Sequence, residues 1–134
     1  MDSTDTVVVA MGGNALARRD ELGTYAEQKA HAGQLASVVS SLRQRGHRVL
    51  VTHGNGPQVG NLAVQQEEGA RLVPPQPLCV LSAMTQGQIG HLLVTAITGA
   101  GTGPAAVAVI THTVVDADDP AFKHPAKPVG PFFS

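Results

Sequence analysis

The sequence is poor in the residues on which several interaction classes depend. Its 134 residues include no Trp, one Tyr and three Phe, and charged residues make up only 14%, with a formal net charge of -1. A protein that binds nucleic acid usually carries a basic stripe, and one that stacks bases needs aromatic side chains. The composition therefore predicts that nucleic acid is not a partner.

Cysteine and long apolar runs are scarce as well. The single cysteine, Cys79, excludes an internal disulfide and is typical of a reducing compartment; we predict a small buried residue on a helix rather than a catalytic thiol. No apolar run approaches the ~20 residues that a membrane span needs. The acidic start, Met1-Asp2-Ser3-Thr4-Asp5, does not resemble a signal peptide. We therefore expect a cytoplasmic protein without a membrane partner.

Apolar residues are plentiful, at 43%, and the chain alternates strand and helix signals. This alternation predicts an α/β domain with a mainly parallel sheet. Buried strands are predicted over residues 6–11, 48–52 and 105–111, and the first is predicted to be buried on both faces, as a central parallel strand is. Helices are predicted over residues 24–45, from residue 57, and over residues 78–98. The helical period places Leu35, Val38, Val39 and Leu42 on the buried face of the first helix, which Gly46 ends. The same period predicts the inward face of the helix over residues 78–98, made of Leu81, Thr85, Ile89, Leu92, Leu93, Ala96 and Ile97.

Two of the predicted strands run directly into glycine-rich turns, Gly12-Gly13-Asn14 and Gly54-Asn55-Gly56. Glycine allows φ > 0 and lets the backbone approach a ligand without a Cβ in the way. A helix that follows such a turn offers unpaired N–H donors and a positive dipole end, which favour an anion. We therefore predict a site for a phosphate or carboxylate at these two turns.

Other interpretations of these residues remain open from the spacing alone. Neither turn fits the Walker A or the G-x-G-x-x-G pattern, and the first turn is equally compatible with a tight loop. His53 either orients the second turn or forms a hydrogen bond in the core. The histidines show no zinc-type spacing, and we predict a solvated loop rather than a magnesium site at Asp116, Asp118 and Asp119.

Four motifs in order resemble those of carbamate kinases, and the resemblance covers the chain from Val7 to Phe133. The motifs are residues 12–16 (GGNAL), 53–62 (HGNGPQVGNL), 83–90 (AMTQGQIG), and 114–132 with VVD, DPAFK and PAKPVGPF. The resemblance implies an amino-acid kinase fold, a three-layer α/β/α sandwich with a mainly parallel sheet. It also implies reversible phosphoryl transfer between ATP and carbamate, with carbamoyl phosphate and ADP on the other side. Mg²⁺ would accompany the nucleotide, and the complete enzyme would be a homodimer.

The resemblance also divides the chain. Residues 1–117 resemble the domain that binds carbamate or carbamoyl phosphate, and residues 118–134 the start of a protruding, lid-like subdomain. That subdomain would carry Lys127 over the site as a catalytic residue, whereas Lys123 is expected to be a surface residue. The family's ATP-binding C-terminal domain has no counterpart here, so we expect a truncated product or part of a longer chain.

The resemblance implies an anion site made of backbone N–H groups of Gly12, Gly13, Gly54 and Gly56 and the side-chain amides of Asn14 and Asn55. Two alternatives stand beside the enzyme. One is a non-catalytic anion-binding remnant, or an inactive partner of full-length subunits. The other, an amino-acid kinase acting on a larger acid, is disfavoured because the first strand lacks the lysine that several such relatives carry before the glycines.

Overall fold

The structure, a computed structural model, describes residues 5–12, 14–18, 20–101 and 103–126. The elements follow the predicted alternation of strands and helices. They are strand β1 (Thr6–Met11), helix α1 (Tyr25–Gln44), strand β2 (Arg48–His53), helix α2 (Gly56–Gly69), helix α3 (Leu78–Gly99) and a 3-10 turn (Pro120–Phe122). The α/β class with a parallel sheet is confirmed.

The two strands are parallel neighbours, in register from Thr6 opposite Arg48 to Met11 opposite His53. A parallel pair needs a crossover connection, and α1 supplies it. The start of α1 is a capping box, in which Thr24 Oγ1 accepts the backbone N–H of Glu27 while Glu27 accepts the backbone N–H of Thr24 at 2.7 Å. Its end is followed by Gly46 at φ +87, as predicted.

The core lies between α1, α3 and one face of the sheet. Its buried residues are Leu16, Ala32, Ala36, Val39, Ile89, Leu92, Leu93 and Ile97, with Met11, Val49 and Val51 packed against them from the strands. The predicted inward face of α3 is confirmed. On α1 the buried stripe runs through Ala32, Ala36 and Val39, and the prediction for Val38 is wrong because this side chain is 50% exposed. Val38 lies one position off the stripe, about 100° around the helix.

The other face of the sheet has no covering element among the described residues. Val8 is 58% exposed and Leu50 is 53% exposed, so the prediction that β1 is buried on both faces is wrong for this part of the chain. Alternate residues of a strand point to opposite faces, and α1 and α3 cover only one of them. The described residues thus contain the sheet and one helical layer.

The third predicted strand is absent from the described part of the chain. Residues 105–111 pair with neither strand, and Val107 is 85% exposed. The segment lies instead against α3, where the side chain of Gln86 accepts the backbone N–H of Thr111 at 2.7 Å and donates to its carbonyl at 3.2 Å. A strand exists only when a neighbouring strand accepts its ladder bonds, which composition does not reveal.

The structure also bears on the predictions made for Cys79 and for membrane-spanning segments. Cys79 lies in the first turn of α3, on a helix as predicted, but it is exposed rather than buried. None of the helices in the described ranges is long and apolar enough to span a membrane.

Candidate anion-binding site

The two glycine turns lie side by side at the carboxyl ends of β1 and β2. Met11 and His53 are partners in the sheet, and the backbone N–H of Gly54 donates to the carbonyl of Met11 at 3.3 Å. This bond continues the parallel ladder one residue past the strands. The structure therefore brings together the two turns that the sequence singled out.

The first turn is closed by a bond from the N–H of Ala15 to the carbonyl of Gly12 at 3.0 Å. Leu16 and Ala17 are then buried and attach the chain to the helical layer. Asn14 is exposed and its side chain makes no hydrogen bond within the described part of the chain. Its amide is thus accessible to a ligand, while Gly13 lies outside the described residues.

The second turn opens directly into α2, which begins at Gly56 with Asn55 as its N-cap residue. The first helical bond runs from the N–H of Val59 to the carbonyl of Asn55 at 2.9 Å. The N–H groups of Gly56 and Gln58 have no acceptor among the described residues, and Pro57 has no N–H. The first N–H groups of a helix favour an anion through their free hydrogens and the helix dipole. The positive end of α2 therefore lies at the second turn.

Gly12 and Gly56 do not adopt the left-handed conformation that we predicted for the glycine turns. Left-handed φ values occur at Gly23, Gly46, Gly101 and Gly103, whereas Gly12 and Gly56 lie outside that region. A Cβ added at Gly12 or at Gly56 would meet no atom within 4 Å. The glycines at these two positions thus leave open space beside the backbone, which fits the second predicted reason, the unobstructed approach of a ligand.

Two of the predicted donors already have partners within the protein. The N–H of Gly54 is bonded to Met11, as described above. The side-chain amide of Asn55 donates to α3, to Thr85 Oγ1 at 3.0 Å and to the carbonyl and hydroxyl of Ser82 at 3.2 Å each. An amide nitrogen has two hydrogens, so these bonds occupy it. In this structure Asn55 fastens the turn to α3, and ligand binding by its amide stays a prediction.

His53 contacts the second turn, as one of its two interpretations required. Its Nδ1 lies 3.2 Å from the carbonyl oxygen of Gly54, and the residue is half-buried. The ring therefore helps to hold the backbone of the turn.

The sequence did not predict two sets of polar contacts, one made by Gln28 and one made by His31. Gln28 donates to the carbonyl of Gly23 at 2.7 Å and accepts a bond from the amide of Gln58 at 3.3 Å. His31, which is buried, places Nε2 2.9 Å from the Glu21 carboxylate, and this bond together with the N–H of Arg18 lowers the pKa of Glu21. The sequence position of Gln28 could have predicted its burial, since it lies four residues before Ala32 on the buried stripe of α1.

The segment that should carry the catalytic lysine lies at the limit of the described residues. Lys127 falls outside them, whereas Lys123 is exposed, as expected for a surface residue. Asp116 accepts the N–H of Asp118 at 3.0 Å, and Asp119 accepts the N–H of Ala121 at 2.8 Å, as in solvated turns. No group of three or more His, Cys, Asp or Glu residues suited to a metal occurs within the described ranges.

A cavity in the described part of the chain lies away from the glycine turns. It measures about 660 Å³ and is lined by the end of α1, the start of β2 and Gly103-Pro104. Arg48 and Val49 begin β2, whereas the two glycine turns follow the last residues of β1 and β2. This cavity thus lies at the opposite end of β2 from the second glycine turn, and we place the candidate site by the strand-end geometry instead.

Comparison with known proteins agrees with this architecture. The amino acid kinase family model matches residues 5–126. The carbamate kinase of Pyrococcus horikoshii is 42% identical over 135 residues, which cover 96% of this chain and 43% of that protein. The carbamate kinase of Halobacterium salinarum is 47% identical over 126 residues, covering 94% of this chain and 40% of that protein.

Solved structures give the same result. Carbamate kinase from Giardia lamblia bound to citric acid matches with a TM-score of 0.91 and 40% identity, over 100% of this chain and 44% of that one. The same enzyme bound to AMP-PNP matches with a TM-score of 0.87. The chain thus spans less than half the length of these relatives. Because the family model covers both strands, all three helices and both glycine turns, the chain belongs to the amino acid kinase family.

Proposed function

We propose that this chain is the N-terminal, acid-binding part of a carbamate kinase. The observation that carries the proposal is the pair of glycine turns joined by the Met11–Gly54 bond, with the start of α2 beside them. Two relatives of this chain, at 42% and 47% identity, are carbamate kinases. In the proposed division, residues 1–117 bind the acid and residues 118–134 begin the lid-like subdomain.

In the proposed reaction, the bond between phosphorus and the carbamate oxygen of carbamoyl phosphate breaks. A bond to the terminal oxygen of ADP forms, which gives ATP and carbamate; the reverse direction uses the same groups. Phosphoryl transfer leaves the protein mainly to position the two reactants and to neutralise charge. The N–H groups of Gly12, Gly56 and Gln58 and the amide of Asn14 would hold the oxygens of the anion. Gly13 and Lys127 complete the proposed site.

The remaining components of the proposal concern the nucleotide and the assembly. ATP or ADP would bind to the part of the protein that the matched relatives have beyond this chain. Mg²⁺ would arrive with the nucleotide phosphates, because the described residues offer no carboxylate or histidine cluster to hold it. Its positive charge would neutralise negative charge on the transferring phosphoryl group. The complete protein would be a cytoplasmic homodimer.

The test is ATP formation by the full-length protein that contains this sequence. Purified protein is incubated with carbamoyl phosphate, ADP and Mg²⁺, and ATP is measured by a coupled assay. We expect turnover that requires all three components and that stops when the metal is chelated. Acetyl phosphate in place of carbamoyl phosphate serves as the control for the acid. Binding of carbamoyl phosphate without ATP formation would instead support the non-catalytic anion-binding alternative.

A further inference from the structure

We propose that the side chains of Gln28 and Gln58 form an amide bridge that positions the first turn of α2 for anion binding. The inference rests on the proposed function of the glycine turns as an anion site. Gln58 is the third residue of α2, and its own backbone N–H is one of the donors without a partner within the described residues. The residue that holds the bridge therefore also presents a hydrogen to the site.

The bridge connects two helices that both pack against α3. Gln58 Nε2 on α2 donates to Gln28 Oε1 on α1 at 3.3 Å, and Gln28 Nε2 donates to the carbonyl of Gly23 at 2.7 Å. Both side chains are buried, with 5% of Gln58 and 6% of Gln28 exposed. The start of α2 is thereby tied to the backbone that precedes α1.

The direction of each bond in the bridge follows from its anchor. A backbone carbonyl can only accept, so the NH₂ group of Gln28 must face Gly23 and its oxygen must face Gln58. Gln58 is then obliged to turn its own NH₂ group toward Gln28. Gly23 has φ +71, a conformation that favours glycine, so the local backbone keeps the anchor in place. Each hydrogen bond of the bridge can therefore run in only one direction, from Gln58 to Gln28 and from Gln28 to Gly23.

These bond directions leave one acceptor unsatisfied. Gln58 Oε1 is buried and has no partner within the described part of the chain. The residue borders a cavity of about 110 Å³ that is also lined by the amides of Asn61, Gln65 and Gln88, which is space enough for water. A buried, partly satisfied polar pair contributes less to stability than a well-packed apolar pair of the same shape. Stability therefore does not explain these two glutamines, whereas positioning of the turn does.

The opposite end of the same turn is held to a different helix. Asn55 is bonded to Thr85 on α3, and Gln58 is bonded to Gln28 on α1. The backbone between Asn55 and Gln58 is thus fixed from two sides. Donors that are held in place before the ligand arrives need no reorganisation when charge develops on the transferring group.

The experiment compares Gln58→Met with Gln65→Met in the full-length protein. Gln65 lies on the same helix and borders the same cavity, but it is exposed and makes no hydrogen bond within the described residues. We expect Gln58→Met to lower Tm only modestly, through the lost bond to Gln28, and to lose about 10–100-fold in kcat/KM for carbamoyl phosphate per folded molecule, because small displacements of a positioned group have effects of this size. The inhibition constant of inorganic phosphate should rise as well, and Gln65→Met should match the wild type in all three measurements.

Two further variants test the bridge itself. Gln58→Glu places an acceptor opposite Gln28 Oε1, so it should lose more kcat/KM than Gln58→Met. Gln28→Met should reproduce the loss without altering any residue of the turn, and combining it with Gln58→Met should add little, as expected for residues that act as one unit. If Gln58→Met does not fold, the Tm, kcat/KM and phosphate inhibition constant of Gln28→Met test the bridge instead.

The outcomes separate the bridge from the proposed function. Equal kinetics and equal phosphate inhibition for Gln58→Met and Gln65→Met would overturn the bridge even though the enzyme is active. A fall in Tm with unchanged kinetics per folded molecule would overturn it too, because that result belongs to a structural role. If the wild type forms no ATP, the proposed function fails, and binding of inorganic phosphate by calorimetry still compares the same variants. Equal or absent phosphate binding would then overturn the bridge.

Discussion

Asn55 donates its side-chain amide to the hydroxyl of Thr85 at 3.0 Å, and Thr85 is completely buried in the described structure. The hydroxyl in turn donates to a carbonyl of the preceding turn of α3, to Leu81 at 3.0 Å or Ser82 at 2.9 Å. The second glycine turn is therefore held by a hydrogen bond to the buried face of α3. Any displacement of α3 at this level changes the geometry of the candidate anion site.

Thr85→Val should reduce stability, because valine keeps the shape but removes the acceptor for Asn55. We expect a loss of about 0.5–1.5 kcal/mol in the free energy of unfolding, the usual worth of one hydrogen bond. Urea denaturation of the full-length protein measures it. Thr95→Val, at an exposed position of the same helix, is the control. Equal stability of the two variants would show that the Asn55–Thr85 bond contributes nothing.

Gly56→Ala should damage activity while leaving the fold intact. The φ of Gly56 is not left-handed and an added Cβ meets no atom within 4 Å, so the free protein tolerates alanine. Alanine in a compatible conformation stabilises by about 0.4–1 kcal/mol, whereas its methyl group occupies the space that we assign to the ligand. Steady-state kinetics with carbamoyl phosphate and thermal unfolding measure the two effects.

The matched control for that substitution is Gly69→Ala, at the other end of α2, where a Cβ also meets open space. It should change neither kcat nor KM. Unchanged kinetics for Gly56→Ala would show that the second turn is only structural.

Lys127→Ala should lower kcat and kcat/KM together, because the proposed contact to the phosphoryl group forms in the transition state. The loss of one such electrostatic contact costs about 10²–10³ in rate. Lys127→Arg should recover activity only in part, since a planar guanidinium does not replace a compact ammonium. Lys123→Ala, four residues earlier and exposed, is the control. Equally mild effects of the two alanine variants would make Lys127 an ordinary loop residue.

The Glu21–His31 pair should make stability depend on pH. The bond from His31 lowers the pKa of Glu21 from its usual value of 4.5, so the folded state favours the carboxylate. A lowered folded-state pKa gives a contribution that is present above pH 4.5 and is lost as the pH falls through the folded-state value. Glu21→Gln should therefore lower Tm at pH 6, and this effect should shrink progressively as the pH falls below 4.5. Glu67→Gln, an exposed carboxyl of α2, is the control, and a pH-independent difference in Tm would contradict the assignment.

The bare face of the sheet should promote association of a polypeptide limited to residues 1–134. Val8 and Leu50 are both more than half exposed on this face, and exposed apolar surface favours self-association. We expect light scattering to show oligomers, which the double substitution Val8→Thr, Leu50→Thr reduces. Val38→Thr, at an equally exposed site on α1, should change little. The same polypeptide should form no ATP, and a monodisperse wild-type monomer would contradict the prediction of association.

Local signals predicted most of the secondary structure because they act over a few residues. The glycine that ends α1, Gly46, and the proline in the first turn of α2 mark helix ends through backbone properties of single residues. The inward face of α3 followed from its period alone. The adjacency of the two glycine turns was also predictable, since parallel neighbouring strands end at one edge of the sheet.

Burial and hydrogen-bond partners depended on the tertiary structure, because they are set by elements distant in the chain. Residues 105–111 are as apolar as a strand, yet their backbone is bonded to Gln86 rather than to a neighbouring strand. Val8 is exposed because, in the described part of the chain, the helices cover only one face of the sheet. The side-chain amide of Asn55 could donate to a ligand, but Thr85, 30 residues away in the chain, accepts its hydrogen. The order of residues therefore decided where helices and turns form, and packing decided which polar groups of those turns remain available to bind an anion.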